Sequence, residues 1–291
     1  METKKWLIGC LILCMLGGVV RPAASGDVAD ASAATEPAED GSVLKKPLKK
    51  LLEDEKKIWT APLRWKWRDW ALCGSVLAIT GFLIANDEGI YKYFKDYQHD
   101  YDWVDRVSPQ ITKLGDGLID AGVAGMFLIN GLIFKNDKAR ETGLLALQTL
   151  LHTAIFIQAC KHLFGRQRPE WDNGVDGWHG PAGFLDRYRG NLWGRYDSFP
   201  SGHTITAWGL ATVIALQYKD NLAVPIASYA LATLAGLSRI TEDKHWFSDV
   251  FVGAALGYFI ARMVVRNQNH RLQVSPSFSG NGLGLSLRYE F

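Results

Sequence analysis

Six apolar stretches set the terms on which this chain folds: Trp70–Ala85, Leu118–Phe134, Gly143–Cys160, Thr204–Tyr218, Leu222–Leu237 and Trp246–Val265. Most hold about 15–18 residues, slightly short of the ~20 that a helix needs to cross a bilayer. They carry polar residues, among them Asp120, Asn130, His152 and Gln158. Membrane spans and buried helices of a globular bundle both fit that description. His152, amid apolar neighbours, reads as a satisfied core histidine rather than a ligand. Gly253-x3-Gly257 permits close helix packing in either setting. The expected fold is all-α: a helical bundle of about six core helices, membrane-spanning, over residues 70–265, with a short C-terminal β-hairpin.

Three motifs lie in or between these stretches. They are Lys161-x6-Arg168-Pro169, Pro200-Ser201-Gly202-His203 and Ser238-Arg239-x5-His245-x3-Asp249. Together they supply three cations, a hydroxyl, two histidines and a carboxylate. Phosphoryl transfer asks mainly for positioning and for neutralisation of charge on the equatorial oxygens. Lys161, Arg168 and Arg239 meet that need, the arginines with planar forks of donors. Ser201 is placed to cap the helix that follows, Gly202 lets the backbone approach a ligand, and the first amides of that helix would face an anion. His245 and Asp249, four apart at a helix start, share a face. A carboxylate on one ring nitrogen would leave the other free to attack, so His245 is assigned as nucleophile and Asp249 as its orienter. His203 is then the general acid, and later the base that activates water. This division needs opposite protonation states at the start of the cycle and predicts a bell-shaped pH profile.

The ordered triple resembles the signature of the type 2 phosphatidic acid phosphatase family, whose active site is similar to those of vanadium haloperoxidases and bacterial acid phosphatases. Every fixed position matches, and the resemblance runs from about Trp70 to Val265. It implies a helical bundle, a phosphohistidine intermediate and no cofactor, metal included. It also implies phosphate binding by Lys161, Arg168, Ser201, Gly202 and Arg239, with His203, His245 and Asp249 catalytic.

Outside the motifs, the chain reads as envelope material. Lys4 and Lys5 precede an apolar run, Trp6 to Val20, and small residues follow, so 1–25 is expected to be a signal peptide or leader. Residues 26–43 are expected to be a disordered linker, and 44–69 a basic amphipathic helix that lies on an anionic membrane or packs on the core. The aromatic stretch between Pro169 and Pro200 suits a lid at a membrane interface. In the tail, 266–291, alternation of Leu283, Leu285, Leu287, Tyr289 and Phe291 with polar or small residues after Asn281-Gly282 predicts the hairpin, for which outer-membrane association was weighed. Lys and Arg crowd 45–68, 135–140 and 262–271, which would put those loops in the cytoplasm and the site in the periplasm. A cleaved leader would invert that arrangement, so the two inferences conflict.

Net charge is +2, and no Walker loop or zinc-type spacing is present, so no nucleic-acid partner is expected. Of the four cysteines, Cys10 and Cys14 lie in the leader, and Cys73 and Cys160 in separate apolar segments. A disulfide framework does not follow from this distribution. The leading expectation is a metal-independent envelope phosphatase acting on a lipid phosphomonoester or diphosphate, held in the inner membrane with its site toward the periplasm. Four other readings stay open: a soluble periplasmic acid phosphatase of broad specificity, a vanadate-dependent haloperoxidase, a non-catalytic phospholipid-binding protein, and a metal site drawing on Glu242, Asp243, His245 and Asp249. Sequence is silent on the oligomeric state and on the particular lipid.

Overall fold

The computed structural model describes residues 53, 55–171, 177–183, 194–267, 272–279 and 282–289, with His99 and the last two stretches described in backbone only. The expected leader and linker, and residues 172–176 and 184–193 of the 169–200 stretch, lie outside the described residues. Seven helices account for most of what is described: α1 Trp67–Asp100, α2 Trp103–Thr112, α3 Gly117–Ile133, α4 Asp137–Phe164, α5 Gly202–Gln217, α6 Ala223–Thr241 and α7 Phe247–Arg266. Strands β1 Leu272–Ser279 and β2 Gly282–Tyr289 pair antiparallel, with Leu272 opposite Tyr289 and Ser279 opposite Gly282.

Local chemistry accounts for the helix ends near the site. Asn136 accepts from the Ala139 amide to start α4. The helix stops at Gly165, whose φ of 52° suits a residue without a side chain, and the Gly165 amide closes the last turn on Lys161. Asp116 begins α3 by accepting from the amides of Leu118 and Ile119. Ser201 begins α5 in the same way through Thr204.

The bundle centres on α5, packed between α7, α6 and α4. Gly253 and Gly257 of α7 let it lie close against α5: a methyl group would come within 2.8 Å of the Ser201 carbonyl at the first and 2.5 Å of the Ile205 carbonyl at the second. That contact brings the start of α5, which bears Ser201 and His203, against the start of α7, which bears Asp249.

Burial is distributed as a bilayer requires. Leu72, Leu77, Phe82, Met126, Ile129, Leu151 and Leu231 face outward, while Thr142, Thr149, Thr153, Thr204 and Thr212 are buried within the bundle. In lipid, apolar surface outside costs nothing and polar groups must find partners inside. Among the described residues, four helices are long and apolar enough to cross a membrane, within Trp67–Gln98, Asp137–Phe164, Ala223–Thr241 and Phe247–Arg266, and the bent pair of α2 and α3 would make a fifth.

One part of this architecture differs from the expected boundaries, and in another the structure favours one of two open alternatives. Helix α1 continues some fifteen residues past the apolar stretch, to Asp100, and α2 follows it. Residues 86–100 hold no apolar run. Their helix is kept by contacts to the site, with Tyr91 on Trp246, Phe94 on Phe247 and Lys95 paired to Asp243 at 2.6 Å. The described part of the basic segment packs on the core: Ile58 is buried, Trp59 stacks on Phe156, and Glu55 meets Nδ1 of the buried His152 at 2.6 Å.

Candidate active site

All eight residues singled out from the sequence gather at one end of the bundle, where α4, α5, α6 and α7 start or stop. Lys161 comes from the last turn of α4 and Arg168 from the segment just after it. Gly202 and His203 open α5, Arg239 ends α6, and His245 and Asp249 flank the start of α7. The Lys161 ammonium lies over Gly202, 3.9 Å from where a β-carbon would sit. The Ser201 amide donates to the Asp249 carbonyl at 3.1 Å.

His245 is buried and its ring is fixed from one side. Nδ1 sits 2.7 Å from the Ser198 carbonyl. A carbonyl can only accept, so Nδ1 carries the proton and Nε2 keeps its lone pair. The Asp249 carboxylate stands 3.7 Å from the same nitrogen, near enough for charge but beyond hydrogen-bond length. Asp249 instead accepts from Ser198 Oγ, from the Trp246 amide at 2.9 Å and from Arg166 at 2.6 Å. It therefore orients the ring through Ser198 rather than by direct contact.

Burial, then the charges of Arg168 and Arg239, hold the His245 imidazole down at a pKa of about 3 in spite of Asp249. His203 lies at about 4, again through burial first and then through Arg239, Lys161 and Arg168, with Asp116 opposing them. Both rings are thus neutral in the empty pocket near pH 7. The opposite protonation states expected from the sequence are not a property of the empty site. A dianion among the three cations would cancel what depresses His203 and let it take a proton.

The cations are preset by acidic partners that the sequence reading passed over. Asp197 accepts from Arg168 Nε at 2.8 Å and pairs with Lys161 at 3.6 Å. Glu242 takes Arg239 Nη1 at 2.6 Å, Thr112 takes the same nitrogen at 3.2 Å, and Arg239 Nε is buried with no hydrogen-bond partner among the described residues. A buried guanidinium nitrogen in that state is a donor waiting for an anion. Glu242, Asp243 and Asp249 are engaged by Arg239, Lys95 and Arg166 respectively, so the acidic residues near His245 diverge into separate ion pairs instead of converging on one centre. Asp197 and Ser198 lie just before Pro200-Ser201-Gly202-His203, separated from it by Phe199, and Arg166 lies in the variable part of Lys161-x6-Arg168; nearness to a motif was the signal available for them.

Residues 142–273 match the model of the PAP2 superfamily. The chain is 34% identical over 119 residues to a lipid A 1-phosphatase of Porphyromonas gingivalis, covering 38% of this chain and 22% of that protein. It is 35% identical over 83 residues to a probable diacylglycerol pyrophosphate phosphatase of Schizosaccharomyces pombe, covering 24% of this chain and 30% of that one. It thus spans less than a third of either relative's length. Among solved structures, it is similar in fold to a transmembrane PAP2-type phosphatidylglycerolphosphate phosphatase from Bacillus subtilis, at TM-score 0.50 and 22% identity, covering 67% of this chain and 94% of that one.

Proposed function

We propose that this chain, whose residues 142–273 match the model of the PAP2 superfamily, is a member of that family and a metal-independent phosphatase that hydrolyses a lipid phosphomonoester or diphosphate through a phosphohistidine. The observation that carries the reading is the state of His245: its Nδ1 proton is committed to Ser198, and its neutral Nε2 is left beside the Arg168 and Arg239 charges.

In the first step the Nε2 lone pair attacks phosphorus. The P–N bond forms as the bond to the lipid oxygen breaks, and His203 gives its proton to that oxygen. Lys161, Arg168 and Arg239, with the amides at the start of α5, carry the equatorial charge. In the second step His203 takes a proton from water, the water oxygen bonds phosphorus, and the P–N bond breaks. Phosphate leaves and both rings return to neutral once His203 has released its proton. Asp249 favours the cationic ring of the phosphohistidine.

Lipid is favoured over a soluble ester by the outward apolar belt, since a water-soluble bundle of this size would not expose Leu72, Leu77, Phe82, Met126 and Ile129 together. The names of the two relatives point to lipid phosphates, and lipid A 1-phosphate heads the candidates. In this reading the helices of 70–265, with α2 and α3 taken as one bent pair, form a catalytic core of six members in the inner membrane with the site facing the periplasm. Residues 1–25 are a leader, 26–43 a linker, 44–69 the basic segment, and the strands of 266–291 an appendage.

The test is phosphate release from a panel of lipid A 1-phosphate, phosphatidic acid, phosphatidylglycerol phosphate and an isoprenyl diphosphate, with and without chelator and vanadate. The expected outcome is turnover of at least one lipid that survives chelator and is lost with vanadate. Complete loss on chelation, or turnover of soluble esters alone, would overturn it.

A further inference from the structure

Behind the nucleophile lies a buried ionic chain, Asp87–Arg166–Asp249, of which only Asp249 is a fixed position of the three motifs. The Arg166 side chain has no exposure. Its Nη1 donates to Asp249 and to Ser248 Oγ, each at 2.6 Å, and its Nη2 donates to Asp87 at 2.7 Å. The guanidinium sits between the rings of Trp178 and Trp246, at 4.7 and 5.4 Å from their centroids. Asp87 belongs to α1 and also accepts from the amide and hydroxyl of Ser248. Ser198 is gripped on three sides by the same set: its amide donates to the Arg166 carbonyl at 3.0 Å, its hydroxyl donates to Asp249, and its carbonyl holds His245.

We infer that Arg166 and Asp87 are positioning residues of this reaction, acting through Asp249 and Ser198 to set the orientation and the charge environment of His245. Two arguments carry this. First, a fully buried triad of charges is a poor way to gain stability, because apolar side chains of the same volume do as well or better. Second, the triad ends on the two groups that touch or face the His245 ring. Arg166 keeps Asp249 ionised and aimed, and Asp87 keeps Arg166 from neutralising Asp249 completely. The imidazole then meets a carboxylate of tuned strength when it turns cationic on bonding phosphorus. The sequence distance is the physical point: Arg166 links Asp87 of α1, 79 residues away, to the chemistry, beside the bonds Asp87 accepts from Ser248. This inference rests on the phosphohistidine reading above.

The test uses the full chain in detergent, with a lipid phosphate that the wild type turns over, and the variants Arg166→Gln, Asp87→Asn and both together. The charged groups facing His245 are Asp249 of α7, Arg168 and Arg239, with Arg166 and then Asp87 behind Asp249. Arg166→Gln is expected to lower kcat roughly 10²-fold, as small misplacements of a reacting group do, with KM within about threefold. Its acid limb in kcat/KM should rise, because Asp249 without its counter-charge holds an imidazolium more strongly. Asp87→Asn should lose roughly tenfold in kcat with no rise of the acid limb, since it removes a negative charge. The double variant should be no worse than Arg166→Gln, because both act through one guanidinium.

Lost packing alone cannot move the acid limb in one variant and spare it in the other. Rates are taken per folded molecule from thermal melting, and if Arg166→Gln does not fold, Asp87→Asn carries the test with its shape unchanged. Rates per folded molecule within about threefold of wild type, or losses that multiply in the double variant, would overturn the inference while leaving the phosphatase reading intact. A wild type inactive on every lipid would instead defeat that reading, and this one with it.

Discussion

His245 is oriented by the Ser198 carbonyl, 2.7 Å from Nδ1, and not by direct contact with Asp249, which stands 3.7 Å away. The two bonds have different consequences. A carboxylate contact could be lost by protonation, whereas a carbonyl holds the tautomer at every pH at which the loop stays in place. Asp249→Asn should therefore leave measurable turnover, with kcat down roughly 10–10³-fold, since the ring keeps its tautomer and loses only its charge partner and part of the support for Ser198. Activity equal to that of His245→Ala would show that the carboxylate does more than this geometry assigns to it.

His203 should matter in proportion to the basicity of the departing oxygen. His203→Ala is expected to cost roughly 10²–10⁴ in kcat on a lipid phosphate. On an aryl phosphate whose phenolate needs no proton, the cost should be much smaller for the first step. Equal losses on both substrates would remove His203 from the acid role.

Anion binding should take up a proton. The empty pocket holds His203 near 4, below the ordinary histidine value of about 6.5, and a dianion reverses the electrostatic part of that depression. Sulfate suits the test, because its own charge is constant across this range. Its protection against thermal unfolding should be greater at pH 5 than at pH 7.5, and His203→Ala should abolish the difference. The linkage for the empty protein has the opposite sign. Both histidines are depressed on folding, so between about 6.5 and 4 the unfolded chain binds more protons and stability falls as pH falls.

Asp197 should be the strongest determinant of phosphate affinity outside the motifs. It presets both Lys161 and Arg168. Asp197→Ala is expected to lower kcat/KM roughly 10–10²-fold. Asp197→Asn should lose less, because it keeps an acceptor for Arg168 Nε. Comparing the two by KM and kcat separates binding from chemistry.

What the sequence made legible follows from what the chemistry fixes. Residues proposed to touch phosphate or to orient the nucleophile must be of particular types at particular spacings, so Lys161, Arg168, Ser201, Gly202, His203, Arg239, His245 and Asp249 stood out. Residues that hold those residues in place are free to come from anywhere in the chain. Asp87 is an acidic residue near the end of an apolar run, and nothing local links it to Ser248, 161 residues away. Lys95 lies in a polar stretch whose helix exists because Tyr91 and Phe94 find Trp246 and Phe247. The helical character of the bundle was legible from its apolar lengths. The upper half of α1 was not, since its order depends on tertiary contact rather than on periodicity. The basic segment was ambiguous for a related reason: Ile58, Glu55 and Trp59 are ordinary residues of an amphipathic helix until Phe156 and His152 are placed beside two of them.

The central claim is that His245 Nε2 bonds phosphorus during turnover. The direct measurement is rapid acid-free quenching of the enzyme with a phosphorus-labelled lipid phosphate, followed by peptide mapping. The account predicts a label that is stable to base, labile to acid and confined to the peptide containing His245, and that is absent from His245→Ala. A label on Ser201, or steady turnover by the His245→Ala variant, would contradict it.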